Sequence, residues 1–164
     1  VTIPRKATSL YRPTRAEIKL ANIEKNIQLF RESMSSAPLI MAVVKANGYG
    51  HGDEAVARAS LRAGASRLGV ALLEEAAALR EEGIDAPIHL LFEPPPSSAR
   101  EVVRWELIPS VYREEYALAL SREAKAARRR LKVHIKVDTG MRRVGVAPDE
   151  VGKMARLIDR LPYL

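Results

Sequence analysis

An α/β fold built from parallel βα units is predicted for this 164-residue chain by three observations. Short apolar runs of strand length alternate with segments whose apolar residues recur at helical spacing. Glycines and prolines punctuate the junctions. Each connection between successive apolar runs is long enough for the crossover that parallel strands require.

The opening residues Val1 to Pro13 read as a basic, proline-containing leader, and Thr14 to Leu20 as a short extended segment. Ile23, Ile27, Phe30 and Met34 then share one helical face. Leu39 to Val44 is a continuous apolar run that leads straight into Lys45 and a glycine-rich turn. A helix follows over about Asp53 to Ala63, with Val56, Ala59 and Ala63 on one side and Gly64 placed to end it. The same unit recurs as a strand at Leu68 to Leu73, a helix at Glu74 to Glu82 stopped by Gly83, and a strand at Ile88 to Phe92.

Pro94 to Pro96 break the chain, after which Ser98 and Glu101 have the capping-box spacing for a helix through Trp105. Leu107 to Tyr112 is a shorter strand interrupted by Pro109, and a long helix from about Arg113 to Arg129 precedes a strand at Leu131 to Val137. In the last segment Val151, Met154, Ile158 and Leu161 share a helical face, with Pro148 near its start. Five strands of this kind fit two architectures. An open doubly wound sheet would be complete at this length, whereas a closed eight-stranded barrel typically needs about 250 residues, so a barrel would be present only in part.

Composition narrows the function. Hydrophobic residues make up 47% of the chain, too much for a disordered one. No stretch approaches the ~18 apolar residues of a membrane span, and the leader lacks a signal-peptide apolar region, so a soluble cytoplasmic protein is expected. Cysteine is absent, which removes disulfides, thiolate nucleophiles and cysteine zinc sites. The formal net charge of +7 would suit a polyanion, but Arg128, Arg129 and Arg130 read as a solvated helix end and aromatics are only 5% of residues. Nucleic-acid binding is therefore a lesser alternative. His51, His89 and His134 lack a compact ligand spacing, and no metal is expected. Asp138 and Glu93 sit near strand ends without a paired-carboxylate pattern, and Leu90 or Leu91 suits core packing better than a pocket wall.

The densest chemical signal is Lys45-Ala46-Asn47-Gly48-Tyr49-Gly50-His51-Gly52. A lysine at the C-terminal end of a parallel strand points to the rim where sites assemble in βα folds. Its neutral amine can form an imine with a carbonyl cofactor. Gly48, Gly50 and Gly52 permit close backbone approach to a ligand, in neither the Walker nor the dinucleotide pattern.

These eight contiguous residues resemble the pyridoxal-phosphate attachment signature of alanine racemases. Lys136-Val137-Asp138-Thr139-Gly140-Met141-Arg142-Arg143-Val144-Gly145 is similar to a second motif of that family, and Arg12 to Ile18 and Asn22 to Asn26 resemble its opening. The resemblance implies that residues 14–164 are the N-terminal part, about five βα units, of a (β/α)8 TIM-type barrel holding pyridoxal 5'-phosphate, after a leader at 1–13. It further implies a later β domain and a homodimer that interconverts L- and D-alanine, supplying D-alanine for peptidoglycan.

Residue by residue, the resemblance makes Lys45 the cofactor-bonded lysine and one of two proton-transfer bases, and brings Tyr49 to the cofactor phosphate. Arg143 resembles the arginine that holds the cofactor's phenolic oxygen near the substrate carboxylate, a task suited to its planar fork. Lys136 matches a position carbamylated in some members, where the added charge orients that arginine. Arg142 stands where a small or polar residue is more usual. The second base, a tyrosine of the later domain, has no counterpart in these residues, so the chain by itself is expected to be inactive. A broad-specificity amino-acid racemase and a non-enzymatic pyridoxal-phosphate-binding module are the alternatives.

Overall fold

A computed structural model describes residues 15–36 and 38–164; the expected leader, and Arg12, Pro13 and Thr14 of the opening motif, lie outside the described residues. Five parallel strands form one sheet: β1 Met41–Val43, β2 Arg67–Val70, β3 Ile88–Leu90, β4 Ile108–Val111 and β5 His134–Ile135. Helix α1 (Leu20–Ser33) precedes β1, and α2 (Asp53–Arg62), α3 (Leu73–Glu81), α4 (Ala99–Arg104), α5 (Glu114–Ala126) and α6 (Val151–Arg160) follow the successive strands.

The strands lie in the sheet in chain order, β1-β2-β3-β4-β5, with every pair parallel. That order decides between the two architectures. A doubly wound sheet reverses its strand order at a switch point, whereas strands added always on the same side trace the arc of a barrel. The fold is a partial (β/α) barrel.

Side-chain alternation separates the faces of this arc. Leu68, Val70, Ile88, Leu90 and Val111 point to one face and are fully enclosed by helix residues such as Leu79, Val102, Tyr116 and Leu120. Each such aliphatic side chain contributes about 1.5–3 kcal/mol on burial. Register places Met41 beside Arg67, Gly69 beside His89, and Ser110 beside His134 on the other face, which takes no part in that core. Continuing the alternation beyond Val43 puts Val44 in the core and half-buried Lys45 on the second face.

Several boundaries differ from those read in the sequence. No strand is assigned over residues 15–19, and α1 leaves Phe30 63% exposed although Ile23 packs on the core. The strand at 131–137 shrinks to His134–Ile135, with Val137 bridging separately to Val146. Ser98 makes no side-chain cap; the 3-10 turn Pro96–Ser98 leads into α4 in place of the capping box. Helix α5 ends at Ala126, so Arg128, Arg129 and Arg130 follow it, and Arg129 pairs with Glu106. The last helix matches its periodicity: Met154 is buried, while Val151, Ile158 and Leu161 pack on the core. No helix among the described residues is long and apolar enough to cross a membrane.

Candidate active site

Lys45 stands where β1 leaves the sheet, and the backbone after it turns left-handed. Ala46, Asn47, Gly48 and Tyr49 have φ of 52°, 55°, 61° and 54° in succession. L-residues avoid this region because Cβ crowds the following carbonyl, at a cost of about 1–2 kcal/mol per residue. Local bonds hold the turn: the Gly50 amide donates to Ala46 and Asn47 carbonyls, and the Asp53 amide donates to Asn47 Oδ1 at 3.1 Å. At Gly48 a Cβ would sit 3.2 Å from Val56 and 3.3 Å from the Asp53 nitrogen, so the left-handed turn seats closely on α2. The Lys45–Tyr49 turn thus brings the lysine amine within 5.8 Å of the Tyr49 ring centroid.

Phe92, just beyond β3, links the two sequence motifs. Its ring centroid lies 6.0 Å from Lys45 Nζ and 5.1 Å from the guanidinium carbon of Arg143. Two cations from distant parts of the chain therefore converge on one aromatic ring, and each is attracted by its π-electrons. Neither motif contains Phe92, and the apolar run at Ile88 to Phe92 marked only a strand. Its position at a strand's C-terminal end was the available signal.

Arg143 is carried by a loop whose shape Asp138 sets. The Asp138 carboxylate accepts amide protons from Arg142 at 2.9 Å and Gly140 at 3.0 Å. Those two bonds, the Arg142 amide first, hold its pKa below the usual carboxylate value, and Lys136 adds to the effect. Arg142 is itself left-handed at φ 55° and engages Asp138 through its backbone, while Arg143 reaches Phe92. Gly145 closes the loop at φ 123°; a Cβ there would lie 2.6 Å from the Asp138 nitrogen. Lys136 shares the second sheet face with His134 and is half-buried, with its backbone bonded to Val111 and Val146.

Other residues have duties apart from the Lys45–Phe92–Arg143 cluster. Glu93 accepts the amide protons of Tyr112 at 2.6 Å and Arg113 at 3.0 Å and pairs with the Arg113 side chain, tying β3 to the start of α5. Leu90 is core, and the Leu91 side chain lies beside Gly69, as does that of Met41. His89 and His134, far apart in sequence, meet with ring centroids 4.5 Å apart and planes tilted by 57°, and Arg67 approaches His89 at 3.5 Å. Burial, then His134 and Arg67, lower the His89 pKa to about 4. A cavity of about 580 Å³ adjoins the Lys45 turn, lined by Val43, Gly48, Tyr49, His51 and Asn22, while a cleft of about 500 Å³ between Tyr112 and Met154 contains none of the site residues.

The donor set suits a flat, anionic carbonyl cofactor: an amine, a guanidinium, a phenol and an aromatic platform, with glycines that admit close backbone approach. Comparison with known proteins points the same way. The family model "Alanine racemase, N-terminal domain" matches residues 18–164. The alanine racemase of Symbiobacterium thermophilum is 46% identical over 153 residues, covering 93% of this chain and 40% of its own length. Alanine racemase 1 of Bacillus subtilis is 41% identical over 155 residues, covering 94% and 39%. Among solved structures, alanine racemase from E. faecalis superposes with a TM-score of 0.85 at 34% identity, over 95% of this chain and 43% of that one. A histidine racemase from Leuconostoc mesenteroides subsp. sake gives 0.81 at 29% identity, over 88% and 39%. The chain spans about two fifths of the length of the curated relatives it matches.

Proposed function

Because the chain belongs to the alanine racemase N-terminal domain family, we propose that it provides the lysine-bearing wall of a pyridoxal-phosphate site that racemises alanine. The observation that carries the reading is the convergence of Lys45 and Arg143 on the Phe92 ring, since the two family motifs contribute one residue each. Pyridoxal phosphate, when bound, supplies an aldehyde that takes up an amine with loss of water, and a ring that accepts the electron pair left by a departing α-proton.

In this reading Lys45 Nζ holds the cofactor and then moves a proton on one face of the substrate. Tyr49 reaches toward the phosphate. The Arg143 fork gives two parallel donors, enough to engage a phenolic oxygen and stay close to a substrate carboxylate. Carbamylation of Lys136, on the same sheet face, would exchange a cation for an anion and help orient Arg143. Inversion needs a second acid on the opposite face, which the resemblance assigns to a tyrosine of a later domain in a partner subunit.

The test is borohydride reduction and peptide mapping of the purified protein with pyridoxal phosphate, combined with D-alanine formation from L-alanine in the presence of a polypeptide that supplies the later domain. The label should fall on Lys45, and Lys45→Ala should abolish both label and turnover; a label on another lysine would sink the assignment. A second reading, racemisation of a different amino acid, is favoured by the histidine racemase among the matched folds. Turnover of histidine, serine, lysine or arginine faster than alanine would select it.

A further inference from the structure

The left-handed turn after Lys45 is energetically uphill, with three of its four residues at 46–49 carrying a Cβ. Its internal bonds are donated by amides from Gly48 to Asp53, mostly to carbonyls from Val44 to Gly48, and leave the Ala46 amide without a partner inside the turn. The first peptide, Lys45–Ala46, is held from outside. Glu75, the third residue of α3, places Oε1 2.6 Å from the Ala46 nitrogen and accepts that amide proton. Its other oxygen accepts the amide protons of Ala71 at 2.8 Å and Leu72 at 3.1 Å, beyond the end of β2. One carboxylate thus takes three backbone donors from two βα units. Among the described residues, no other side chain outside the 45–53 segment hydrogen-bonds to this turn.

The Ala46 amide and the Lys45 carbonyl belong to one planar peptide unit. Fixing that plane fixes ψ of Lys45 and φ of Ala46 together, and so the direction in which the lysine side chain leaves the strand. We propose that Glu75 is a positioning residue of the cofactor site, acting through the Ala46 peptide to aim the Lys45 amine. The inference rests on the pyridoxal-phosphate reading of Lys45. Glu75 also accepts the amides of Ala71 and Leu72 just before α3, the reach-back half of a capping box, so a helix-capping duty alone is the competing account. The two differ at Ala46, which no cap of α3 requires.

The experiment compares the purified parent protein with Glu75→Ala, Glu75→Gln and Glu74→Ala. Glu74, exposed in the same first turn, controls for loss of helix-end charge without touching Ala46. Three quantities are read with the melting temperature: hydrogen exchange at the Ala46 amide, the dissociation constant for pyridoxal phosphate by spectroscopic titration, and borohydride-fixed label on Lys45. Glu75→Ala should speed Ala46 exchange and weaken cofactor binding about tenfold, the scale of one hydrogen bond to a charged group. Glu74→Ala should do neither. Glutamine has a single carbonyl oxygen, so it should recover part of the effect at near-parental stability.

Parental cofactor binding, labelling and Ala46 exchange in folded Glu75→Ala overturn the proposal. If that variant does not fold, Glu75→Gln decides it: weaker binding supports positioning, and parental binding with unchanged Ala46 exchange overturns it. A parent protein that takes no label at Lys45 refutes the cofactor reading instead, and Ala46 exchange then still reports whether Glu75 holds the turn.

Discussion

The guanidinium carbon of Arg143 lies 5.1 Å from the Phe92 ring centroid, on the ring that also approaches the Lys45 amine at 6.0 Å. The contact separates Arg143 from its neighbour Arg142, whose part is a backbone bond to Asp138. Arg143→Ala should therefore weaken pyridoxal-phosphate binding by about 1.5–3 kcal/mol, as expected for a hydrogen bond to a charged group. Arg142→Ala should change it little. Phe92→Ala should weaken binding by about 0.5–1 kcal/mol and Phe92→Tyr hardly at all. Spectroscopic titration measures all four, and a loss with Arg142→Ala larger than with Arg143→Ala would move the role one residue upstream.

Gly145→Ala should be costly. Its φ of 123° is a glycine conformation, and the new Cβ would press against the backbone at Asp138 and Val137, at 2.6 and 2.8 Å. Strain and overpacking together predict about 2–4 kcal/mol of lost stability. A lowered urea midpoint with an unchanged slope is the signature. A parental midpoint would show that the 138–146 loop is free to shift.

His89 makes stability depend on pH in a definite direction. Its pKa is lowered from 6.5 to about 4, first by burial and then by His134 and Arg67. Between those values the unfolded chain binds the proton and the folded one does not. This contribution is thus complete above pH 6.5 and is lost as pH falls toward 4, up to about 3 kcal/mol in all. Unfolding free energy of the parent should fall more steeply over that window than that of His89→Gln, and parallel curves would refute the assignment.

Tyr116 is fully buried on α5 and its hydroxyl has no hydrogen-bond partner among the described residues, while burial and then Glu93 raise its pKa above the ordinary phenol value. Removing an unsatisfied buried polar group relieves a desolvation cost. Tyr116→Phe should be neutral or stabilising by up to about 1 kcal/mol, whereas Tyr116→Ala should lose about 3–5 kcal/mol through the cavity. A clear loss of melting temperature in Tyr116→Phe would mean that the hydroxyl has a partner.

Much of this organisation was legible in the chain itself. Apolar runs located β1 to β4 and a partly alternating segment located β5, because parallel strands carry apolar side chains wherever a face is covered. The eight residues from Lys45 marked the candidate site, since an amine at a strand's C-terminal end among glycines is an uncommon combination. Periodicity overreached where partners are lacking: Phe30 obeys the helical spacing of α1 yet lies 63% exposed, because spacing names a face without naming what covers it. Ser98 had a cap's spacing, but the 3-10 turn at Pro96–Ser98 left its backbone in the helical region rather than the extended one a cap uses.

The sequence by itself determined the parallel βα class, the strand-end lysine and the family likeness, because these depend on residue type and spacing along the chain. Only the tertiary structure decided the rest. Strand order separated barrel from doubly wound sheet, since both satisfy the same alternation. Packing brought Lys45 and Arg143 to the Phe92 ring, set His89 against His134, and gave Glu75 the Ala46 amide 29 residues away. Each depends on which strands become neighbours and how the backbone turns after them, and local spacing carries no record of either.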